Sequence, residues 1–257
     1  MLALKASAAK VALLVHGAGG GAWEYDLWHS TFAQHNWRPV ARNLDPVSNG
    51  DLASTTLSDY ELQVRRWAAD EASSGTARLS LVGASMGGAV VLRAAPTISP
   101  AAIVLINPVV PQPWAQQPSQ SSKPVPDVLR WAGSSLERTA AALHDSTPEI
   151  QRWACERWRD ESGAVMRELY SGYTVDRPRC PVLFVVSLSD RDVPPEQQLE
   201  WAAAWGAETL TYSSMSHVGP LLGTLAPEVA SAVAQWLERT TAGAADGADE
   251  VSKWGGR

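Results

Sequence analysis

Three short runs of unbroken apolar residues constrain this chain more than any other feature: VALLV at 11–15, AAIVLI at 101–106 and VLFVV at 182–186. Each is short for a helix and bounded by turn-forming or polar residues. Runs of this kind read as strands buried on both faces, the signature of a parallel sheet covered by helices on each side. Weaker strands are expected at 37–43, 78–82 and 208–212. Between them the periodicity is helical. Residues 58–73 set Leu62, Trp67, Ala68 and Ala72 among charges, as an amphipathic helix does. Residues 89–95 read as a helix that stops before Pro96, and 196–205 and 227–239 complete the set. Strands alternating with helices predict an α/β fold with a mostly parallel sheet and helices on both faces.

The alternation breaks between Asn107 and Pro178. That stretch opens with PQPWAQQPSQSSKPVP and turns helical from about Asp127. It reads as an insertion at 107–178 lying over one core made of 1–106 and 179–241. The tail at 242–257 is rich in Gly, Ala and Asp, lacks an apolar period, and has the composition of a disordered segment.

Composition excludes several classes of partner. The net charge is −6 and no Lys/Arg cluster exceeds two residues, so nucleic acid is not expected. No apolar run approaches the ~18 residues of a membrane span. The opening MLALKASAAK lacks a signal-peptide core, which predicts a cytoplasmic protein. Cys155 and Cys180 read as two reduced thiols, with a single bridge as the alternative. No Cys/His cluster has metal-ligand spacing, and no cofactor is called for. The expected partner is a small-molecule substrate, and the expected state is a monomer or homodimer.

The chemistry gathers at three places. Gly83-Ala84-Ser85-Met86-Gly87 follows the predicted strand RLSLV and precedes the predicted helix AVVLRAA. A serine hydroxyl is a weak nucleophile at neutral pH and needs an adjacent base with its oxygen clear of the sheet. A sharp strand-to-helix turn with small residues on either side supplies that exposure. The alternative is an ordinary tight turn. His16-Gly17-Ala18-Gly19-Gly20-Gly21-Ala22-Trp23 ends the first strand. Backbone N–H groups there, on Ala18 together with Met86, are candidates to hold the charge that forms on a carbonyl oxygen, with Gly17 beside the substrate. Gly17-x-Gly19-x-x-Ala22, followed by Asp45 after the next strand, is also compatible with a dinucleotide site; the G-x-S-x-G turn two strands later argues against it.

The base is expected late in the chain. Of five histidines, His217 in SSMSHVGP lies between the last strand and the last helix. His16 belongs to the Gly-rich segment, His29 and His35 to an early surface helix, His144 to the insertion. The acid is expected between serine and histidine in chain order. Asp190 in SLSDRDVPP is preferred and Asp192 is held in reserve; Asp127 and Asp145, in the insertion, are placed too far from a sheet end.

On these combined motifs, the chain resembles the α/β-hydrolase superfamily over about residues 10–240. The opening HGAGGGAW, with little before it, is similar to the plant methylesterase and hydroxynitrile-lyase group and its bacterial relatives. The resemblance implies a cofactor-free serine hydrolase with a Ser85–His217–Asp190 triad, and it aligns the acid loop on Asp190, with Ser187 where the family usually has Gly. The group's lyases carry a hydroxyl residue after the first His and a lysine after the catalytic His. Here Gly17 and Val218 stand there, so lyase activity of that kind is not implied. S-M-G-G is also similar to carbon–carbon-bond hydrolases and perhydrolases. The alternatives to an ester or lactone hydrolase are therefore a carbon–carbon-bond hydrolase, or a cyclase or lyase of small-molecule biosynthesis.

Twelve tryptophans against two phenylalanines is unusual, and Trp114, Trp131, Trp153 and Trp158 fall within the insertion. The resemblance puts this stretch in the place of a cap over the active site. These four tryptophans are candidate substrate-binding residues, implying a hydrophobic or aromatic group of modest size; the alternative is that they glue the insertion to the core. Trp153 and Trp158 are five apart, so at most one of the two is expected to face substrate.

Overall fold

A computed structural model describes residues 10–46, 51–76, 78–115 and 124–242. The expected disordered tail falls almost wholly outside them. The main sheet has six strands in the order β2-β1-β3-β4-β7-β8, every neighbouring pair parallel. These are β1 (Lys10–Val15), β2 (Trp37–Ala41), β3 (Arg78–Ala84), β4 (Ile103–Ile106), β7 (Val182–Ser187) and β8 (Glu208–Tyr212). In the interior strands successive side chains enter opposite layers, as the two-residue period of a strand requires. Val11, Leu13 and Val15 pack with Leu81, Leu105 and Phe184 on one face, while Ala12 and Leu14 pack with Val82, Val104 and Val185 on the other.

Helices α2 (Leu57–Ser73), α3 (Met86–Ile98) and α7 (Pro195–Trp205) cover the first face. Helices α1 (Asp26–Gln34), α8 (Gly219–Leu222) and α9 (Ala226–Ala242) cover the second. Helix α2 starts at a reciprocal cap, Thr56 accepting from the Asp59 N–H while the Asp59 carboxylate accepts from the Thr56 N–H. Helix α3 runs past Pro96 rather than stopping before it. Proline removes one donor near the helix end, and the Ser99 N–H still closes the last turn on the Ala95 carbonyl at 2.8 Å.

Between β4 and β7, within the expected insertion, the chain builds α4 (Leu136–Ala142), α5 (Pro148–Cys155) and α6 (Gly163–Tyr170), plus a separate antiparallel pair, β5 (Val128–Leu129) with β6 (Glu161–Ser162). Asp127 therefore precedes a strand, and helix begins only at Leu136. No helix among the described residues is long and apolar enough to cross a membrane.

Strand order places the site. The chain steps from β1 outward to β2, then returns past β1 to β3 and continues the other way. The carboxyl ends of β1 and β3 thus lie side by side where the direction of winding reverses, the place where open α/β sheets leave a crevice. The register pairs Val15 with Gly83, so the loops carrying Gly17 and Ser85 leave the sheet together.

Candidate active site

Ser85 is the single residue between β3 and α3, with φ 50° and ψ −119°. A positive φ is strained for a residue with a Cβ and persists only where its surroundings impose it. Here β4, the loop after it and the first turn of α3 do so. The Ser85 N–H donates to the Ile106 carbonyl at 2.9 Å, and the Ser85 carbonyl accepts from Gly88 at 3.0 Å and Val109 at 3.2 Å. The flanking glycines are required by contact. A Cβ on Gly83 would stand 2.4 Å from the Gly87 carbonyl oxygen, and one on Gly87 would stand 2.3 Å from that of Val15. Only residues without side chains let α3 approach the sheet this closely.

His217 lies in the loop between β8 and α8. Its Nδ1 is 2.7 Å from Oδ2 of Asp190, whose side chain is wholly buried. An ionised carboxylate only accepts, so Nδ1 carries the hydrogen and Nε2 keeps its lone pair. Asp190 is itself anchored, its Oδ1 accepting from the N–H groups of Asp192 (2.8 Å) and Val193 (3.0 Å). Burial alone would lower the imidazole pKa. The Asp190 hydrogen bond and charge, with smaller contributions from Asp192 and Glu24, outweigh it and leave His217 raised.

Asn107, at the end of β4 with φ 41°, ties this corner together. Its Nδ2 donates to the His217 carbonyl (2.7 Å) and to Oγ of Ser187 (2.9 Å), and its Oδ1 accepts from the Ser187 N–H (2.8 Å). Ser187, where the family pattern has glycine, is thus absorbed into a hydrogen-bonded junction rather than disturbing the acid loop.

The Gly-rich segment folds back beside Ser85, and a Cβ on Gly17 would lie 3.2 Å from that of Ser85. His16 orders the turn. Its Nε2 accepts from the Leu44 N–H at 2.9 Å, so the hydrogen is on Nδ1, which donates to the Gly17 carbonyl at 2.8 Å. Burial lowers its pKa to about 4, which keeps the ring neutral. The Gly17 N–H donates to Oε2 of Glu24 (3.1 Å) and the Gly19 N–H to Oε2 of Glu161 (3.0 Å). Among the described residues neither the Ala18 N–H between them nor the Met86 N–H at the start of α3 has a protein acceptor. Two backbone donors near the serine are left for something else.

A family model described as the alpha/beta hydrolase family matches residues 12–234. The chain belongs to this family. Among solved structures, this alpha/beta hydrolase is similar to polyneuridine aldehyde esterase at 18% identity and TM-score 0.69, covering 89% of this chain and 99% of that one. It is similar to the methylesterase MES16 from Arabidopsis at 16% identity and TM-score 0.69, covering 91% and 99%. It is also similar to tomato methylketone synthase I in complex with 2-tridecanone at 15% identity and TM-score 0.69, covering 91% and 100%. No curated protein matches the chain.

In this alpha/beta hydrolase Gly17, Ala18, Ser85 and His217 line one cavity of about 810 Å³, together with residues of the segment between β4 and β7. Of the four insertion tryptophans, Trp131 and Trp158 line it. Trp131 lies against Gly19, where an added Cβ would meet the indole at 2.1 Å. Trp158 donates from Nε1 to Oγ1 of Thr139 at 3.0 Å. Trp114 and Trp153 do not line it, correcting the sequence expectation. Trp114 stacks on Trp201 at 5.9 Å and meets Trp205 edge-on at 6.1 Å. Trp153 packs edge-on against Trp23 at 5.3 Å, with Trp158 on the same indole at 5.1 Å. Trp158 lies beyond the end of α5 at Cys155, so the two tryptophans do not share one helix and their five-residue spacing does not decide which of them meets the cavity.

Other expectations also change. Asp45 does not stand free for a ribose; it pairs with Arg159 at 2.7 Å. Asp145, set aside from sequence as remote, accepts from Oγ of Ser216, next to His217. Among the described residues, the one group of acidic and histidine side chains close enough to share an ion is Asp190, Asp192 and His217, two of which are already bonded to each other.

Sequence reading missed Glu24 altogether. It is 3% exposed, lines the cavity, and lies so close to Gly20 that a Cβ there would be 2.4 Å from its Oε1. Burial raises its carboxyl to about 7, opposed by the Gly17 hydrogen bond and by His217. An acidic residue between Trp23 and Tyr25 in an otherwise apolar turn was the one signal that could have found it.

Proposed function

We propose that this chain is a serine hydrolase that cleaves a carboxylic ester or lactone bearing a hydrophobic or aromatic portion. One observation carries the reading: a serine in a strained turn opens into the same cavity as an imidazole whose Nδ1 is held by a buried carboxylate at 2.7 Å. Ser85 Oγ attacks the carbonyl carbon, and its proton passes to Nε2 of His217. The N–H groups of Ala18 and Met86 hold the carbonyl oxygen as it becomes charged. His217 then gives the proton to the leaving oxygen as the carbon–oxygen bond breaks, leaving the acyl group on Ser85. Water attacks this ester, its proton goes to His217, and Ser85 regains a proton as the acid departs. Asp190 keeps the imidazole in the right tautomer and stabilises its cation. Trp131 and Trp158, on the roof formed by the insertion, supply the apolar surface for the substrate.

The experiment is hydrolysis of p-nitrophenyl acetate by the wild type and Ser85→Ala. Turnover is expected to vanish in the variant, and undiminished turnover would refute the assignment.

One observation favours a second reading, carbon–carbon bond cleavage or a non-hydrolytic reaction. Glu24 adds to the cavity a carboxyl that gains and loses its proton near neutrality, a donor that ester hydrolysis through one histidine does not use. Methylketone synthase I has a similar fold. Inertness toward a panel of short esters and lactones, with Ser85 still labelled by a fluorophosphonate, would favour this alternative.

A further inference from the structure

The turn at Gly17–Gly20 is held by two parties. The core supplies His16 Nδ1 on the Gly17 carbonyl, Glu24 on the Gly17 N–H, and the turn's own Gly20 N–H to Gly17 carbonyl bond at 3.2 Å. The insertion supplies the rest. The Gly19 N–H donates to Oε2 of Glu161 at 3.0 Å, and the Gly19 carbonyl accepts from the Arg159 N–H at 2.7 Å. The core holds the Gly17–Ala18 peptide plane, which carries the Ala18 N–H, only at its carbonyl oxygen through the His16 ring, and the Gly20 N–H ties that same oxygen to the far side of the turn. The insertion fixes the two peptide planes on the far side of Ala18, with the Ala18 α-carbon as the hinge.

Gly19 has φ +67° and no side chain, so by itself it is a soft joint. Glu161 removes that freedom from 142 residues away in the sequence. It is 3% exposed and both of its oxygens accept hydrogen bonds. Its Oε1 accepts from the Tyr60 hydroxyl and from the Ser162 N–H, both at 2.7 Å, while Oε2 serves Gly19. The Ser162 hydroxyl in turn donates to the Thr55 carbonyl at 2.6 Å, which fastens β6 to the segment before α2. This carboxylate is fixed on both sides before it meets the turn.

We propose that Glu161 is a positioning residue for oxyanion stabilisation: it completes the aim of the Ala18 N–H, so that the oxyanion site is fully formed only while the insertion is seated on the β1 loop. The inference rests on the reading of Ala18 as an oxyanion donor. It assigns the insertion a part in the chemical step beyond roofing the cavity. A donor allowed to drift by a fraction of its hydrogen-bond length still lets the substrate bind but loses the charge that develops later, so the cost falls on kcat.

The test is steady-state hydrolysis of p-nitrophenyl acetate, with inhibition by phenylboronic acid, in wild type, Glu161→Leu and Glu161→Gln. The boronic acid forms a tetrahedral adduct on a nucleophilic serine and so probes the oxyanion donors. Glu161→Leu is expected to lose roughly 10- to 100-fold in kcat with KM within about twofold, and boronic-acid affinity is expected to fall with it. Glu161→Gln keeps an oxygen for the Gly19 N–H but turns its NH2 toward the Ser162 N–H, so it should recover only part of the rate. A Leu variant with near-wild-type kcat overturns the inference. If the Leu variant does not fold, Glu161→Asp keeps the charge but falls one methylene short of Gly19; undiminished kcat there overturns it equally. A wild type inert toward all esters overturns the hydrolase reading instead, which separates the two failures.

Discussion

Replacing Glu24 by glutamine changes one proton and almost no volume. The amide oxygen can still accept from the Gly17 N–H, so the substitution imitates the protonated acid. Burial moves this carboxyl from 4.5 to about 7, and each tenfold change in proton affinity is about 1.4 kcal/mol. Ionised Glu24 therefore costs the folded state about 3 kcal/mol relative to the neutral form. The folded state holds the proton more tightly than the unfolded chain, so the carboxyl's favourable contribution is complete below about 4.5 and is lost as pH rises through about 7. Glutamine does not titrate and escapes that loss. In urea denaturation at pH 5, 6, 7 and 8, Glu24→Gln is expected to gain on the wild type as pH rises. Its advantage at pH 8 should exceed that at pH 5 by about 2–3 kcal/mol. The other titrating groups are common to both proteins, and within this pH range only His217, which loses the Glu24 charge that helps raise its pKa, changes with the substitution. A stability difference that stays flat across this range would refute the reasoning, because Glu24 would then titrate as an ordinary surface acid.

The same geometry makes two other predictions. Asp190→Asn removes the acceptor that keeps the hydrogen on Nδ1 of His217 and should lower kcat by about 10³–10⁴-fold at neutral pH; a loss under tenfold, measured by ester hydrolysis, would move the acid to Asp192. Trp158→Ala should raise KM several-fold for an aromatic ester because Trp158 lines the cavity. Trp153→Ala should leave KM near the wild-type value while lowering stability by about 3 kcal/mol, since Trp153 packs on Trp23 and under Arg157; equal KM effects in the two variants would contradict the assignment of faces.

The parts of the fold legible in the sequence are those governed by neighbours in the chain. Strands β1 and β7 are apolar over 11–15 and 182–186 because both faces are covered there, and those runs mark them to within a residue. Ser85 is visible because a strained turn needs Gly83 and Gly87 beside it, and the clearances around those glycines give the reason. His217 and Asp190 are visible because they follow strand ends in the order the chemistry requires. What stays hidden is what the fold brings together from afar. Asp145 reaches the His217 loop through Ser216, and Glu161 meets Gly19 from the insertion; no local pattern records either meeting. Trp114 and Trp153 look the same in sequence as Trp131 and Trp158, and only packing separates the pair kept off the cavity from the pair that lines it.

The most direct test of the nucleophile is to catch it in the act. Wild-type protein mixed rapidly with p-nitrophenyl acetate, quenched in acid within the first turnovers and digested, should yield one acetylated peptide, with the acetyl group on Ser85. The adduct should be absent when His217 is replaced by alanine. Rapid ester turnover with no acyl group on Ser85, or with the acyl group on another side chain, would contradict the account.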